Sequence, residues 1–263
     1  MIAELAHLPL NPHYGRGAFR RRLMFRPVSG GVVAQVDDAF HAYWLMLDHN
    51  GDRITGLDAG FLRAPTDMCP GSITGLEMLI GSGVRDDARQ LMARLPQALN
   101  CTHLTDLAVW TAAHHERSAT WDILVPDQVD TPAWITIARD GEIIHRWQLS
   151  GFQLSAPAAL AGHPLMSGFI KWASRSFAGD ALMAATMLQR GVFVARGRQH
   201  IIDKGQPPAL SDAPGMAGMC WSYSGERWAQ GRGALNYVRD FTLGVTPATL
   251  PNHVIDRLRD YAK

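Results

Sequence analysis

"FHAYWLMLDHNGDRITGLDAGFLR", residues 40–63, decides the fold class. "FHAYWLML" is apolar at successive positions, so both faces of a strand there are apolar, which predicts a central strand covered on both sides. Asn50–Gly51 follows. Both residues tolerate positive φ, which predicts a tight two-residue turn and a β-hairpin.

Upstream, "GAFRRRLMFRPVSGGVVAQV" (17–36) predicts two further strands around Gly30–Gly31, preceded by an arm over 1–17 rich in Pro, Gly and His. Downstream, the pattern changes at Cys69–Pro70. "ITGLEMLIGSG" predicts a short helix, with Thr74 and Glu77 spaced as a capping box. Val84, Ala88, Leu91, Met92 and Leu95 form one apolar stripe of a helix stopped by Pro96. A third helix is expected over 101–117. The second half predicts a hairpin around Asp140–Gly141, helices over "HPLMSGFIKWASRSF" and "GDALMAATMLQRG", the latter capped by Asp180, and a strand over "VFVARGRQHII". A long Pro/Gly loop, a strand near "LNYVRDFTL" and a helix over 251–262 complete the chain. The expected class is α+β. An antiparallel sheet packs on helices in residues 1–118, and a second mixed β/α section, 119–263, packs against them.

The chain has 263 residues, 47% hydrophobic and 19% charged, with a formal net charge of +1. That length buries a sizeable core, and that charge gives no argument for nucleic acid or a membrane as partner. Three Cys cannot close a disulfide framework, and there is no charged start followed by an apolar run, so a cytoplasmic protein is expected. There is no Walker loop, no GxGxxG after a strand, no GxSxG and no HExxH, so no nucleotide or nicotinamide cofactor is expected.

"NCTHLTD" (100–106) gathers chemistry at a helix start. Cys101 sits where the helix dipole favours a thiolate, or is a small buried side chain. Asp106 follows His103 by three positions, so on one helical face it would orient His103 as a base. The pair His114–His115 points two ways, because adjacent helical residues diverge by about 100°. In "RAPTDMCP", Asp67 and Cys69 alternate onto one side of an extended segment. On the expected strand 192–202, Arg196, Arg198 and His200 share a face that would hold a carboxylate or phenolate. Arg20, Arg22 and Arg26 share another strand face, read as surface or anion steering.

The segments "FRRRLMF…GGVVAQVDDAFHAYWLMLDHNGDRITGL…CPGS…NCTHLTDL", with later "GFIKW", "VFVARGR" and "CWSYSGERW", resemble a bacterial domain-of-unknown-function family, number 2889. Its strongest motifs here are Cys69–Pro70 and "CTHL" at 101–104. The resemblance implies a place in the catabolism of aromatic or steroid-like compounds. A remoter architectural similarity is to the iron–sulfur scaffold (NifU/IscU-like) fold, and it implies ligands at Asp67, Cys69, Cys101 and His103.

The expected function is therefore a cofactor-independent lyase, deformylating by retro-aldol cleavage or dehydrating, acting on an aromatic or polycyclic small molecule. His103 or His41 is the base, with Asp106 and Cys101 beside it. Arg196, Arg198 and His200 hold an anionic group, and Trp44, Trp110 and Trp147 wall the pocket. The alternatives are a metal- or iron–sulfur-binding accessory protein using Cys69, Cys101 and His103, and a non-catalytic binding protein. Self-association stays open.

Overall fold

The computed structural model describes residues 8–129 and 132–261, so the first seven residues of the expected arm lie outside it. Eight strands are β1 (Ala18–Val28), β2 (Gly31–Asp38), β3 (Ala42–His49), β4 (Ile54–Arg63), β5 (Ala119–Pro126), β6 (Ile135–Arg139), β7 (Glu142–Ser150) and β8 (Gln153–Ala156). They form one antiparallel sheet in the order β4-β3-β2-β1-β5-β6-β7-β8. The helices are α1 (Ala88–Met92), α2 (Thr102–Ala113), α3 (Phe169–Ser176), α4 (Gly179–Ala195), α5 (Glu226–Gln230) and α6 (Asn252–Tyr261). The architecture is α+β, as the patterning implies. The two sections share one sheet, because β5 pairs with β1.

Strand alternation explains the layers. Phe19, Leu23 and Phe25 of β1 join Val36, Leu45 and Leu47 on one face, where α2 covers β2 and β3 and α4 covers β1 and β5–β7. The other face carries Val33 and Trp44, covered by Val254 of α6. β3 is thus enclosed on both sides, as its doubly apolar sequence requires. Asp140 and Gly141 both take positive φ, 50° and 91°, and close the β6–β7 hairpin in two residues.

Several elements differ from their expected form. The β3–β4 turn has four residues, not two: the Asn50 side chain accepts the N–H groups of Asp52 and Arg53, and His49 pairs with Ile54. The tight turn between β1 and β2 is Ser29–Gly30, because Gly31 already pairs with Val28. Residues Cys69–Leu79 form a 3₁₀ helix without the Thr74–Glu77 box; the capping box is Asp87 with Gln90, at α1. Ala178 occupies the N-cap of α4, and Asp180 in its first turn pairs with Arg117 and Arg139 instead.

The expected strand over 192–202 is absent. Val192 and Val194 continue α4, and 196–199 form a 3₁₀ turn. Ala184, Leu188, Val192 and Ala195 are buried at helical spacing, and packing overrides the β-branched preference. Gly191 makes this possible, since a Cβ there would meet Ile123 Cγ2 of β5 at 2.8 Å. The segment near "LNYVRDFTL" is also not a strand. Asn236 takes positive φ, its N–H goes to the Asp203 carbonyl, and the Val238 N–H goes to the Asp203 carboxylate.

Candidate active site

Arg21 and Asp38 face each other directly across β1 and β2. Both alternate onto the core face, between Phe19 and Leu23 on one strand and beyond Val36 on the other. A lone charge there would be untenable, so they pair: Arg21 Nε donates to Asp38 Oδ2 at 2.7 Å. The β2–β3 turn then brings His41 back over Asp38. Asp38 Oδ1 accepts the backbone N–H groups of Phe40 and His41, and His41 Nδ1 lies 3.1 Å from the same oxygen. A carboxylate only accepts, so Nδ1 carries the hydrogen and a neutral His41 keeps its lone pair on Nε2.

His103, in the first turn of α2, closes the line. Its ring centroid is 4.2 Å from that of His41, tilted by 41°. Its backbone carbonyl accepts the Tyr43 hydroxyl at 3.3 Å. Exposure grades outward: Asp38 0%, Arg21 2%, His41 5%, and His103 half-buried. The site is a polar line through a hydrophobic layer, running from buried Asp38 to half-buried His103.

The electrostatics follow from this. Burial alone would raise the Asp38 pKa, but Arg21 and then His41 outweigh it and hold the carboxyl well below the usual carboxylate range. Burial, with His41 and Arg21 adding to it, drives His103 well below the ordinary imidazole value, so His103 is neutral at physiological pH. Burial likewise raises the Tyr43 hydroxyl, which keeps its proton.

Asp106 does not orient His103. It pairs with Arg190 of α4 at 2.9 Å, since a carboxylate buried at this point needs a partner. Burial raises its pKa, and Arg190 opposes the rise. Cys101 is the N-cap residue of α2 and is buried. Burial pushes its thiol up, and Cys69 and Cys220 are near enough to add to the shift. That is the opposite of an activated thiolate. Cys69 holds Thr66 and Ser222 hydroxyls against its sulfur, at 3.1 and 3.5 Å. Among the described residues, no three His, Cys, Asp or Glu side chains are placed to hold a metal ion, so the set Cys69, Cys101 and His103 does not form such a centre.

The expected binding residues disperse. Trp44 lies on the opposite face of the sheet, 5.2 Å from His253. Trp110 and Trp147 are core residues, Trp147 in tilted contact with His145 and edge-on to Phe169. Arg198 is bound by Asp127 at 2.7 Å, and His200 Nδ1 lies 3.2 Å from the Leu8 carbonyl. Loss of the strand removes the shared face these side chains needed. Arg20, Arg22 and Arg26 also serve the fold, with Arg22 on Asp122 and the other two on backbone carbonyls. His114 is buried structure, and Asp67 accepts the Arg232 N–H.

Arg21, Asp38 and Tyr43 were not singled out from the sequence. Alternation in "AFRRRLMF" does put Arg21 with Phe19, Leu23 and Phe25, and a cation on an otherwise apolar face is the signal that finds it.

No helix among the described residues is long and apolar enough to cross a membrane. No curated protein and no solved structure matches the chain, so nothing stands beside the remoter likeness to the iron–sulfur scaffold fold. Residues 25–115, from β1 through the end of α2 and including Asp38, His41, Cys69, Cys101 and His103, match the model of the family described as a protein of unknown function (DUF2889).

Proposed function

We propose that this protein is a cofactor-independent acid–base enzyme, a lyase acting on an aromatic or polycyclic small molecule, with His41 and His103 as its proton-transferring groups. The observation that carries the reading is the line Arg21–Asp38–His41–His103, which runs outward from the core to the half-buried His103. Asp38 fixes the His41 ring and its tautomer, as an orienting carboxylate does in a nucleophile–base arrangement. His103 is a neutral imidazole at neutral pH, so one ring nitrogen has a lone pair free to accept a proton. Its conjugate acid is destabilised by Arg21 and His41 and gives the proton back readily. Two imidazoles this close resist carrying charge together, so one proton at a time passes through the site.

In a deformylating retro-aldol step, the base removes the proton of a hydroxymethyl oxygen. The adjacent C–C bond breaks, formaldehyde leaves, and the electron pair passes to a conjugated carbonyl or ring of the substrate. The imidazolium then returns its proton to carbon. Dehydration uses the same groups, with a C–H proton removed and water leaving.

The test is a panel of aryl and polycyclic β-hydroxycarbonyl compounds incubated with the purified protein. Formaldehyde release is read colorimetrically and loss of water by mass. Turnover of at least one member that disappears in both His41→Ala and His103→Ala supports the reading. No turnover of any member, or turnover surviving both replacements, overturns it.

A further inference from the structure

A cavity of about 470 Å³ opens at the far end of α4, between β5, the β7–β8 turn and residues 195–199. Neither His41 nor His103 lines it. Its volume lies in the range that encloses a mid-sized organic ligand. Val125, Leu149, Phe152 and Val192 supply an apolar wall.

One end of the cavity is polar, and its groups are unevenly satisfied. Asp127 is fully engaged: Arg198 donates to both its oxygens at 2.7 and 3.0 Å, and the Gly15 and Gly17 N–H groups add two more bonds. Gln128 donates to the Pro126 carbonyl at 2.7 Å. Tyr14 is different. Its hydroxyl oxygen accepts the Gln128 backbone N–H at 3.1 Å and the Gln199 side chain at 3.4 Å, so its own hydrogen is left to donate. Arg196 is the second such group. Its guanidinium lies 4.4 Å from the Phe152 ring centroid and has no carboxylate partner among the described residues. Stacking on an aromatic face fixes the plane of a guanidinium while leaving its in-plane N–H groups free for a planar anion. Burial lowers the Arg196 pKa, as expected for a cation without a counter-charge.

We infer that this cavity is a binding site for an aromatic or otherwise apolar carboxylate, whose anionic end is held by Arg196 and the Tyr14 hydroxyl while its body lies along Val125, Leu149, Phe152 and Val192. The spare cation and the spare hydroxyl donor call for an acceptor of negative charge, and the apolar wall calls for a hydrophobic body. The site is distinct from the histidine pair and does not rest on the acid–base reading. Arg196 follows Arg190 by six residues, about 9 Å along the helix. Phe40, which precedes His41, packs against the adjacent Gly197, where a Cβ would lie 3.0 Å from its ring.

The test is calorimetric titration of the full chain with 2-naphthoate and with its neutral isostere 2-naphthamide, near pH 7.5 where only the former is charged. Saturable binding of the carboxylate is expected, at least about tenfold tighter than the amide. Arg196→Gln is expected to remove that preference, weakening naphthoate by about tenfold or more while leaving the amide unchanged. Tyr14→Phe, which keeps the ring, is expected to weaken naphthoate several-fold. Absence of saturable naphthoate binding up to roughly 5 mM, equal affinity for acid and amide, or unchanged naphthoate binding by Arg196→Gln overturns the inference. Thermal melts of each variant confirm that it is folded.

Discussion

The imidazoles of His41 and His103 stand 4.2 Å apart, centroid to centroid, one on the β2–β3 turn and the other on the first turn of α2. Asp38 pins the first ring, and the second belongs to a half-buried residue. Burial, His41 and Arg21 act together to keep His103 unprotonated. Its ring nitrogen resonances, followed by NMR from about pH 7.5 down through the ordinary imidazole value near 6.5, are therefore expected to stay those of a neutral imidazole. A normal titration centred near that value would contradict the geometry.

Arg21 and Asp38 are both buried and directly paired, so each depends on the other. Replacing one partner leaves the other charge stranded. Asp38→Ala is expected to lower stability by about 3–5 kcal/mol in urea unfolding. Arg21→Met combined with Asp38→Leu should lose clearly less than the two single losses added. A loss under about 1 kcal/mol for Asp38→Ala would mean that the pair is not buried as described.

His114 sets part of the pH dependence of stability. Trp121 Nε1–H donates to its Nε2 at 3.1 Å, and its Nδ1 lies 2.6 Å from the Trp110 carbonyl. Trp can only donate, so Nδ1 carries the hydrogen, and a second proton would set N–H against N–H. Burial, opposed by the Trp110 carbonyl and reinforced by Arg117 and Arg139, pushes its pKa down to about 4. The folded value lies below the unfolded one. This stability is therefore fully present above about pH 6.5 and is lost as pH falls toward 4, amounting to roughly 3 kcal/mol. His103 and His145, also lowered, act in the same direction. Urea titrations at several pH values on His114→Gln should show a flatter slope over this window than the parent protein; an identical slope would remove His114 from the account.

The three thiols should differ in reach. Cys69 and Cys101 are buried, whereas Cys220 is half-exposed. Brief iodoacetamide treatment of the native protein, followed by peptide mass analysis, is expected to label Cys220 first and the other two only after unfolding. Preferential labelling of Cys101 would restore the reactive-thiol reading.

How much of this was legible before the structure depends on where side-chain alternation was followed. "FHAYWLML" announced an interior strand because both faces were apolar, and β3 is one. Asp140–Gly141 announced its turn because both residues take positive φ there. "VARGRQHI" misled, because Val192 and Val194 look like strand residues while the stripe through Ala184, Leu188 and Ala195 is helical. That error invented a shared face for Arg196, Arg198 and His200. His41 and His103 each stand out in the sequence as a candidate base, yet nothing local links residues 62 positions apart. Spacing points to Asp106 as a partner for His103 because it shows helical neighbours; the cross-strand register that sets Asp38 against Arg21, and the turn that brings His41 over Asp38, are not visible in it.

The most direct test of the acid–base account compares His103→Ala with Cys101→Ser, both confirmed as folded, on whichever compound of the β-hydroxycarbonyl panel the parent protein turns over. The account predicts that His103→Ala loses on the order of a hundredfold or more in kcat/KM, while Cys101→Ser keeps most of the activity. Abolition by Cys101→Ser with His103→Ala left active would contradict it and place the chemistry on the thiol.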